Sequence, residues 1–566
     1  MVIGTVKLLL QGENNSMKKY ALGLDFGTLS VRALLVDINT GEEAATEVFE
    51  YPHGVMTEAL PDGTPLPPDF ALEHPQDFLD GLEYVVCAGM KAGNIRPEEV
   101  IGIGVDVTTA TVLAVDENGT PLSEYPEFAG CPEAWMKLWK HHGAMKMADR
   151  MLEVARERGE SWLSYYGDWL SCELFMPKAV ELAVNAPEVF ARTHNLIEAA
   201  DWIVWKLTGE VTRSVALAGC NSLYRRDTGY PSKEYFKAVH PEAENVPDKL
   251  IGRIAPLGGC AGYLLPEMAK KLGLLPGTPV GVGMIDSHAA VLGCGASRVG
   301  DMVSTIGTSA NNMLNALEGP GIPGIYSAAM DANIPGLFGY EGGQNCVGDC
   351  LAWFVDNCVP ASYKEAAEKE GVNIHAYLQA RAETLKPGES GLLALDWFNG
   401  VRTPLMDFSL TSAIIGLTVR TKPEEIYRAL IEATVFGNKQ VIDTYEEAGC
   451  PVNRIIVAGG IPMKNSMMMQ IYADVTGKDI YLCGSSQASA RGSAILGAAA
   501  AGPEVHGCKD TCELIEKLGK LADKVYHPIS ENVETYKRLY VLYRKLSDVM
   551  SKEDSVGREL LKLKYK

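Results

Sequence analysis

The chain has 566 residues, 47% apolar and 22% charged, with 72 acidic against 51 basic side chains and a net charge of −21. That balance belongs to a folded globular protein, and the length exceeds one core, so two large domains are expected. The acidic excess disfavours a nucleic-acid or anionic-membrane surface, and the sequence has no run of 18 apolar residues to span a bilayer.

The 13 cysteines include no CxxC pair. Cys346/Cys350 and Cys508/Cys512 are each four apart but lack histidine support, so free thiols in a reducing cytosol are expected rather than a metal site. Residues 1–16 have a short apolar patch without a small-residue cleavage site and are expected to be a disordered leader, with Met17 a plausible start.

Residues 20–24 read as a buried strand that delivers Asp25-Phe-Gly27-Thr28 to a tight turn, and 31–36 return as a second strand. Such a hairpin can offer backbone N–H groups to an anion. Gly27 permits close approach and Thr28 adds a hydroxyl donor. Asp25 would repel a phosphate directly but can hold Mg²⁺ through water. An ordinary hairpin with an acidic tip is the competing reading.

A proline-rich loop at 60–68 precedes a helix at 75–89. Ile101, Ile103 and Val105 alternate with glycine in a buried strand that ends at Asp106-Val-Thr-Thr-Ala-Thr111. Three hydroxyls and a carboxylate there suit a polyhydroxy ligand, or simply a polar turn. Residues 135–207 have helical spacing up to the glycine stop at Gly209, with Trp202 and Trp205 read as core. Ala218-Gly-Cys-Asn221 is a small-residue segment able to approach a ligand.

Residues 280–285 read as a strand running into Asp286-Ser-His288 at the start of an alanine-rich helix. Asp286 is either a helix cap or a general base for a hydroxyl, and His288 is read as structural. Gly293-Cys-Gly295 does not complete GxGxxG. A second β-rich run then ends in Gly307-Thr308-Ser309, 280 positions after the first glycine turn. Two related halves facing a cleft, able to clamp a polyphosphate, are therefore expected.

Glu341 sits among glycines and amides at 339–345, suited to a ligand loop. Residues 421–424 read as a capping box with Pro423 in the first turn. Strand 454–458, Gly459-Gly460 and a helix at about 464–476 form a phosphate or nucleoside cradle. A small-residue helix at 488–501 should pack closely, and a helix at 531–550 precedes a basic, frayed tail at 551–566. Neither a Walker A motif nor the protein-kinase HRD/DFG set is present.

Asp25-Phe-Gly-Thr28, Asp286, Gly307-Thr-Ser309 and Ala458-Gly-Gly460 fall in the order found in the FGGY carbohydrate kinases, which belong to the actin/Hsp70-type ATPases. Residues 412–436 resemble that family's C-terminal signature. Longer stretches resemble its ketopentose kinases: YPHGVM at 51–56, LPDGTPLPPDFALEHPQDF at 60–78, KLWKHH at 137–142, EAADWIVWKLTG at 198–209 and DWFNGVRTPLMD at 396–407. The likeness runs from Met17 to about Met550.

The resemblance implies an α/β protein of two actin/Hsp70-like, ribonuclease H-like domains around an interdomain cleft. Residues 17–293 would carry the sugar site and first hairpin, and 294–550 the second hairpin and adenosine motif. It implies MgATP-dependent phosphorylation of the O5 hydroxyl of a ketopentose, L-ribulose first, with D-ribulose or xylulose as alternatives. Asp286 would be the general base, and Asp25 would organise Mg²⁺. Gly27, Thr28, Gly307 and Thr308 would hold phosphates, and Gly459, Gly460 and Asn465 would line the nucleotide side. Thr108, Thr109, Asn221, Asp286 and Glu341 would line the sugar pocket. The implied partners are the ketose, MgATP and a second copy in a homodimer, in the cytoplasm. Two departures stand out: Asn221 replaces the usual lysine, and Val105-Asp-Val-Thr-Thr109 replaces a motif close to VDFTA.

Overall fold

The structure is a computed structural model and describes residues 18–564, so the leader expected at 1–16 lies outside the described residues. Two seven-stranded sheets organise the chain. In the first, β1 (Tyr20–Phe26), β2 (Ser30–Asp37) and β3 (Glu43–Glu50) run antiparallel in succession. β4 (Val100–Val107) then pairs parallel with β1, and β5 (Pro279–Gly281) parallel with β4. The second sheet repeats the plan. β6 (Asp301–Ile306), β7 (Ala310–Ala316) and β8 (Phe338–Gln344) are antiparallel. β9 (Arg454–Ala458) is parallel to β6, and β10 (Ile480–Cys483) is parallel to β9. The central strands β1 and β4 are buried along their whole length, as apolar strands covered on both faces must be.

A small four-stranded sheet sits on the amino-terminal half, in the order Leu72–Glu73, Met136–Lys137, Val112–Val115, Asn195–Glu198. The uninterrupted helical run expected over 135–207 is therefore corrected. Strand Asn195–Glu198 breaks it, because these residues pair antiparallel with Val112–Val115, Leu113 facing Ile197. Spacing within the segment does not reveal a partner some 80 residues upstream. Trp202 and Trp205 are core, and the Trp202 indole N–H donates to Gly119 O at 2.8 Å.

The helices that matter below are α1 (Pro75–Ala92), α2 (Phe175–Asn185), α3 (Asp286–Gly293), α4 (Pro423–Glu447), α5 (Ser466–Thr476), α6 (Ala488–Ala501) and α7 (Ser530–Met550). The capping box of α4 lies one residue later than the sequence reading. Glu425, not Glu424, accepts from Lys422 N–H at 2.6 Å, while Thr421 Oγ1 accepts from Thr418 N–H at 2.9 Å. Pro423 fixes the first helical position and sets this register.

Helix α6 belongs to the second half in sequence yet lies on the first sheet. A Cβ at Gly23, Gly102 or Gly104 would overlap the backbone of Ala490, Gly497 or Ser493. A core cluster joins Ala21, Ile101 and Met284 to Ile456, Ala494 and Ile495, so the halves share apolar packing. The frayed tail is also corrected: Val556–Lys564 is helical, and Arg558 bonds Ser409 Oγ at 2.9 Å and pairs with Asp407. The cysteines are free thiols, and among the described residues no helix is long and apolar enough to cross a membrane.

Candidate active site

Each hairpin turn is closed by the N–H of its glycine, across one residue more in the first than in the second. Gly27 N–H donates to Ser30 O at 2.9 Å, and Gly307 N–H to Ser309 O at 2.8 Å. At the first turn Arg32 Nη1 pairs with the buried Asp25 carboxylate at 3.1 Å, and Thr28 Oγ1 accepts from the Trp139 indole N–H at 3.2 Å. At the second, the chain beyond β8 straps the turn, Gly348 N–H donating to Gly307 O at 3.0 Å and Val347 N–H to Thr308 O at 2.8 Å.

The Gly-Gly pair joins the second turn. Gly459 has φ +106°, and a Cβ there would run into Ile306 O at the end of β6, so the site demands glycine. At Gly307 and Gly460 no atom lies within 4 Å of where a Cβ would stand. These two glycines therefore face open space beside a pair of parallel strand ends, the geometry of a phosphate cradle. Asn465 is buried and its Oδ1 accepts from Met468 N–H at 2.9 Å, so this side chain caps α5.

Asp286 begins α3 but does not cap it. Ile285 is the cap residue, and the Asp286 Oδ1 accepts only from the adjoining Ser287 N–H, at 2.6 Å. Burial, and then the negative charge of Asp25, push its carboxyl up to about 7. Asp106 stands opposite Asp25 in the β1–β4 register. It is fully buried, accepts from Ser493 Oγ at 2.5 Å and leaves Oδ1 without a partner. Burial, with Asp25 and Asp286 nearby, raises its carboxyl well above the usual range. The strand-end carboxylate expected to meet a polyhydroxy ligand is thus enclosed in the core.

On the sugar side, Thr109 Oγ1 donates to Asn221 Oδ1 at 3.0 Å, and Asn221 Nδ2 donates to Glu198 Oε2 at 2.9 Å. Burial pushes Glu198 up to about 8, with Asp201 adding to the rise. Thr108 is turned inward, its hydroxyl 2.8 Å from that of Thr111. Glu341 is buried on β8, 3.5 Å from His288 Nε2, while His288 Nδ1 lies 3.2 Å from Ala332 O. Both ring nitrogens of His288 are engaged, as its structural reading required.

Among the described residues one histidine–carboxylate group, His53, His74 and Asp77, approaches metal-ligand spacing. Its bonds are already spent. His53 backbone N–H and ring Nδ1 lie 3.0 and 2.7 Å from the Asp77 carboxylate, and His74 Nδ1 accepts from Gln76 N–H at 3.3 Å to cap α1. Trp139 and Glu198 were not singled out as site residues from the sequence. Their only signal there is that each lies in a stretch, 137–142 or 198–209, shared with the resembled kinases.

Residues 20–293 match the model of the FGGY family of carbohydrate kinases, N-terminal domain, and residues 302–501 that of its C-terminal domain. The chain belongs to the FGGY family of carbohydrate kinases and has its actin/Hsp70-like fold. It is 46% identical to a ribulokinase of Geobacillus thermodenitrificans over 96% of this chain and 97% of the relative. It is 40% identical to a ribulokinase of Mycolicibacterium smegmatis, over 96% of each chain. A solved xylulose kinase of Rhodospirillum rubrum superposes with TM-score 0.77 at 22% identity, covering 94% of this chain and 98% of that one. Plasmodium falciparum glycerol kinase with ADP gives 0.72 at 17% identity, covering 95% and 99%.

Proposed function

We propose that the protein transfers the γ-phosphoryl group of ATP to the terminal O5 hydroxyl of a ketopentose, L-ribulose ahead of D-ribulose and the xyluloses. The observation that carries this reading is Asp286, a carboxylate on the first turn of α3 that caps nothing and has burial and Asp25 acting on its proton affinity. The full-length likeness to proteins named ribulokinase supports the choice of sugar.

In this mechanism Thr109, Asn221 and Glu341 orient the ketose, and Asp286 in its ionised form accepts the O5 proton as that oxygen attacks the γ-phosphorus. The bond from phosphorus to the β–γ bridging oxygen breaks, and ADP leaves. The N–H groups and hydroxyls of Thr28 and Thr308 hold phosphate oxygens, Gly27 and Gly307 give the close approach while their own N–H groups close the turns, and Gly459, Gly460 and the Asn465 turn line the nucleotide side. Asp25 would hold Mg²⁺ through water, its carboxylate offering the oxygen donors that ion prefers while Arg32 pairs with it at 3.1 Å. When bound, Mg²⁺ neutralises charge on the phosphates. Closing the halves excludes water, which would otherwise compete for the phosphoryl group.

The test is ADP release with MgATP across L- and D-ribulose, L- and D-xylulose and glycerol. Highest kcat/KM with L-ribulose is expected. Preference for another ketose would retain the mechanism and move the substrate. No turnover with any of them would overturn the reading.

A further inference from the structure

Lys178 is a buried cation that the phosphoryl-transfer chemistry does not use. It lies on the first turn of α2, 1% exposed, and its ammonium donates to three carbonyls: Ala110 O at 2.8 Å, Leu138 O at 2.8 Å and Trp139 O at 3.4 Å. Those carbonyls come from two separate walls of the site. Ala110 follows Thr109, and its φ of +46° is a conformation that a non-glycine residue holds only when its surroundings impose it. Trp139 reaches the other wall, where its indole donates to Thr28 on the first hairpin. A single side chain thus ties the loop of Thr109, and through it Asn221, to the segment that touches the phosphate turn.

Removing the ammonium would leave Ala110 O without its donor, while Leu138 O would keep the His141 N–H at 3.0 Å, and the strained loop would lose what holds it. Acidic groups face this ammonium: the carboxyls of Glu73 from the small sheet, Glu173 from the approach to α2, Glu181 on α2 itself and Glu198 from the neighbouring strand, with the Cys172 thiol beside Glu173. Glu73 is fully buried with both oxygens unpartnered, and burial raises its carboxyl well above the usual range against the pull of Lys178. Burial also brings Lys178 down to about 7, against the pull of Glu173, Cys172, Glu198 and Glu181.

We propose that Lys178 is a positioning residue that sets the sugar loop and the Trp139–Thr28 contact in one arrangement, so that the acceptor hydroxyl and the phosphates are brought into register together. This rests on the sugar-kinase reading above, and the test separates the two. Lys178→Met is compared with Lys178→Arg and the parent in steady-state kinetics with MgATP and the best ketose of the panel. The Met variant is expected to raise the ketose KM by about tenfold or more while the MgATP KM stays within about twofold, and the Arg variant to recover most of the difference. A Met variant that loses only kcat, in proportion to its folded fraction, with the ketose KM unchanged, would overturn the proposal.

A substrate-free readout stands beside it. In ¹⁵N-tryptophan spectra the Trp139 indole resonance, assigned through Trp139→Phe, should move in Lys178→Met while that of Trp353, an exposed residue on the helix Gly348–Asn357 of the second half, does not. An unmoved Trp139 resonance would overturn the proposal even if no ketose is turned over, the case in which the functional reading fails. Should Lys178→Met not fold, the parent decides: its ketose KM should rise between pH 7 and 9 as the ammonium loses its proton, with the MgATP KM flat. A flat ketose KM would overturn the inference.

Discussion

The two halves share a backbone plan and differ in the chemistry hung on it. Two residues before the turn glycine stands Asp25 in the first half and Thr305 in the second. Across the parallel neighbour, Asp25 faces Asp106, whereas Thr305 faces Ala458. The first half concentrates carboxylates, one paired with Arg32 and one enclosed with its proton affinity raised by burial; the second offers a hydroxyl and a methyl at the same places. In the mechanism proposed above, the first half would manage metal and proton, and the second half would present only uncharged groups to phosphate. Like charges on both sides would repel the polyphosphate that the cleft is built to accept.

The comparison can be broken most severely at Asp286. Asp286→Ala should reduce kcat by about 10²–10⁴-fold, with nucleotide affinity retained in equilibrium dialysis. Unaltered turnover would remove the base assignment. Next comes making the halves alike: Thr305→Asp should weaken MgATP binding by about tenfold or more, read by calorimetry, because a new carboxylate would stand beside the second turn.

The glycines sharpen the contrast between structural and functional requirement. Gly459→Ala, at φ +106° and against Ile306 O, should lower the thermal midpoint by an amount equivalent to about 1–3 kcal/mol. Gly307→Ala, which meets nothing within 4 Å, should leave the midpoint unchanged and weaken nucleotide binding alone. The smallest effect is in pH. At saturating ketose, kcat should climb as pH rises through about 7, since Asp286 must be ionised to accept a proton. The same raised carboxyl means the folded state holds a proton that the unfolded chain gives up from about pH 4 upward, so thermal stability should fall across that window, and fall less in Asp286→Asn.

Both hairpins, the Gly-Gly turn and the start of α3 were legible because each is written locally, in strand residues followed at once by Gly-Thr, Gly-Gly or Asp. The duplicated plan followed from finding the same turn twice. What escaped the sequence depends on distant partners. Asp106 looked like a ligand group, and only its enclosure beside Ser493, 387 positions away, makes it a core residue. Lys178 gave no signal, because its three acceptors are brought to it by a loop and a strand up to 68 positions distant. Asn221 read as a ligand-facing amide, and its bonds to Thr109 and Glu198 add a network that no spacing rule encodes. The offset capping box and the interrupting strand 195–198 are register errors of the kind that tertiary pairing decides.

Helix α6 has a consequence for how the molecule is assembled. The backbone seats that Gly23, Gly102 and Gly104 provide on the first sheet are filled by a segment synthesised some 200 residues after that half of the chain has left the ribosome. Until α6 arrives, the first sheet lacks one of its faces, so a fragment ending near residue 293 is an unfinished body rather than a free-standing module, and completion of the amino-terminal half waits on the carboxy-terminal one.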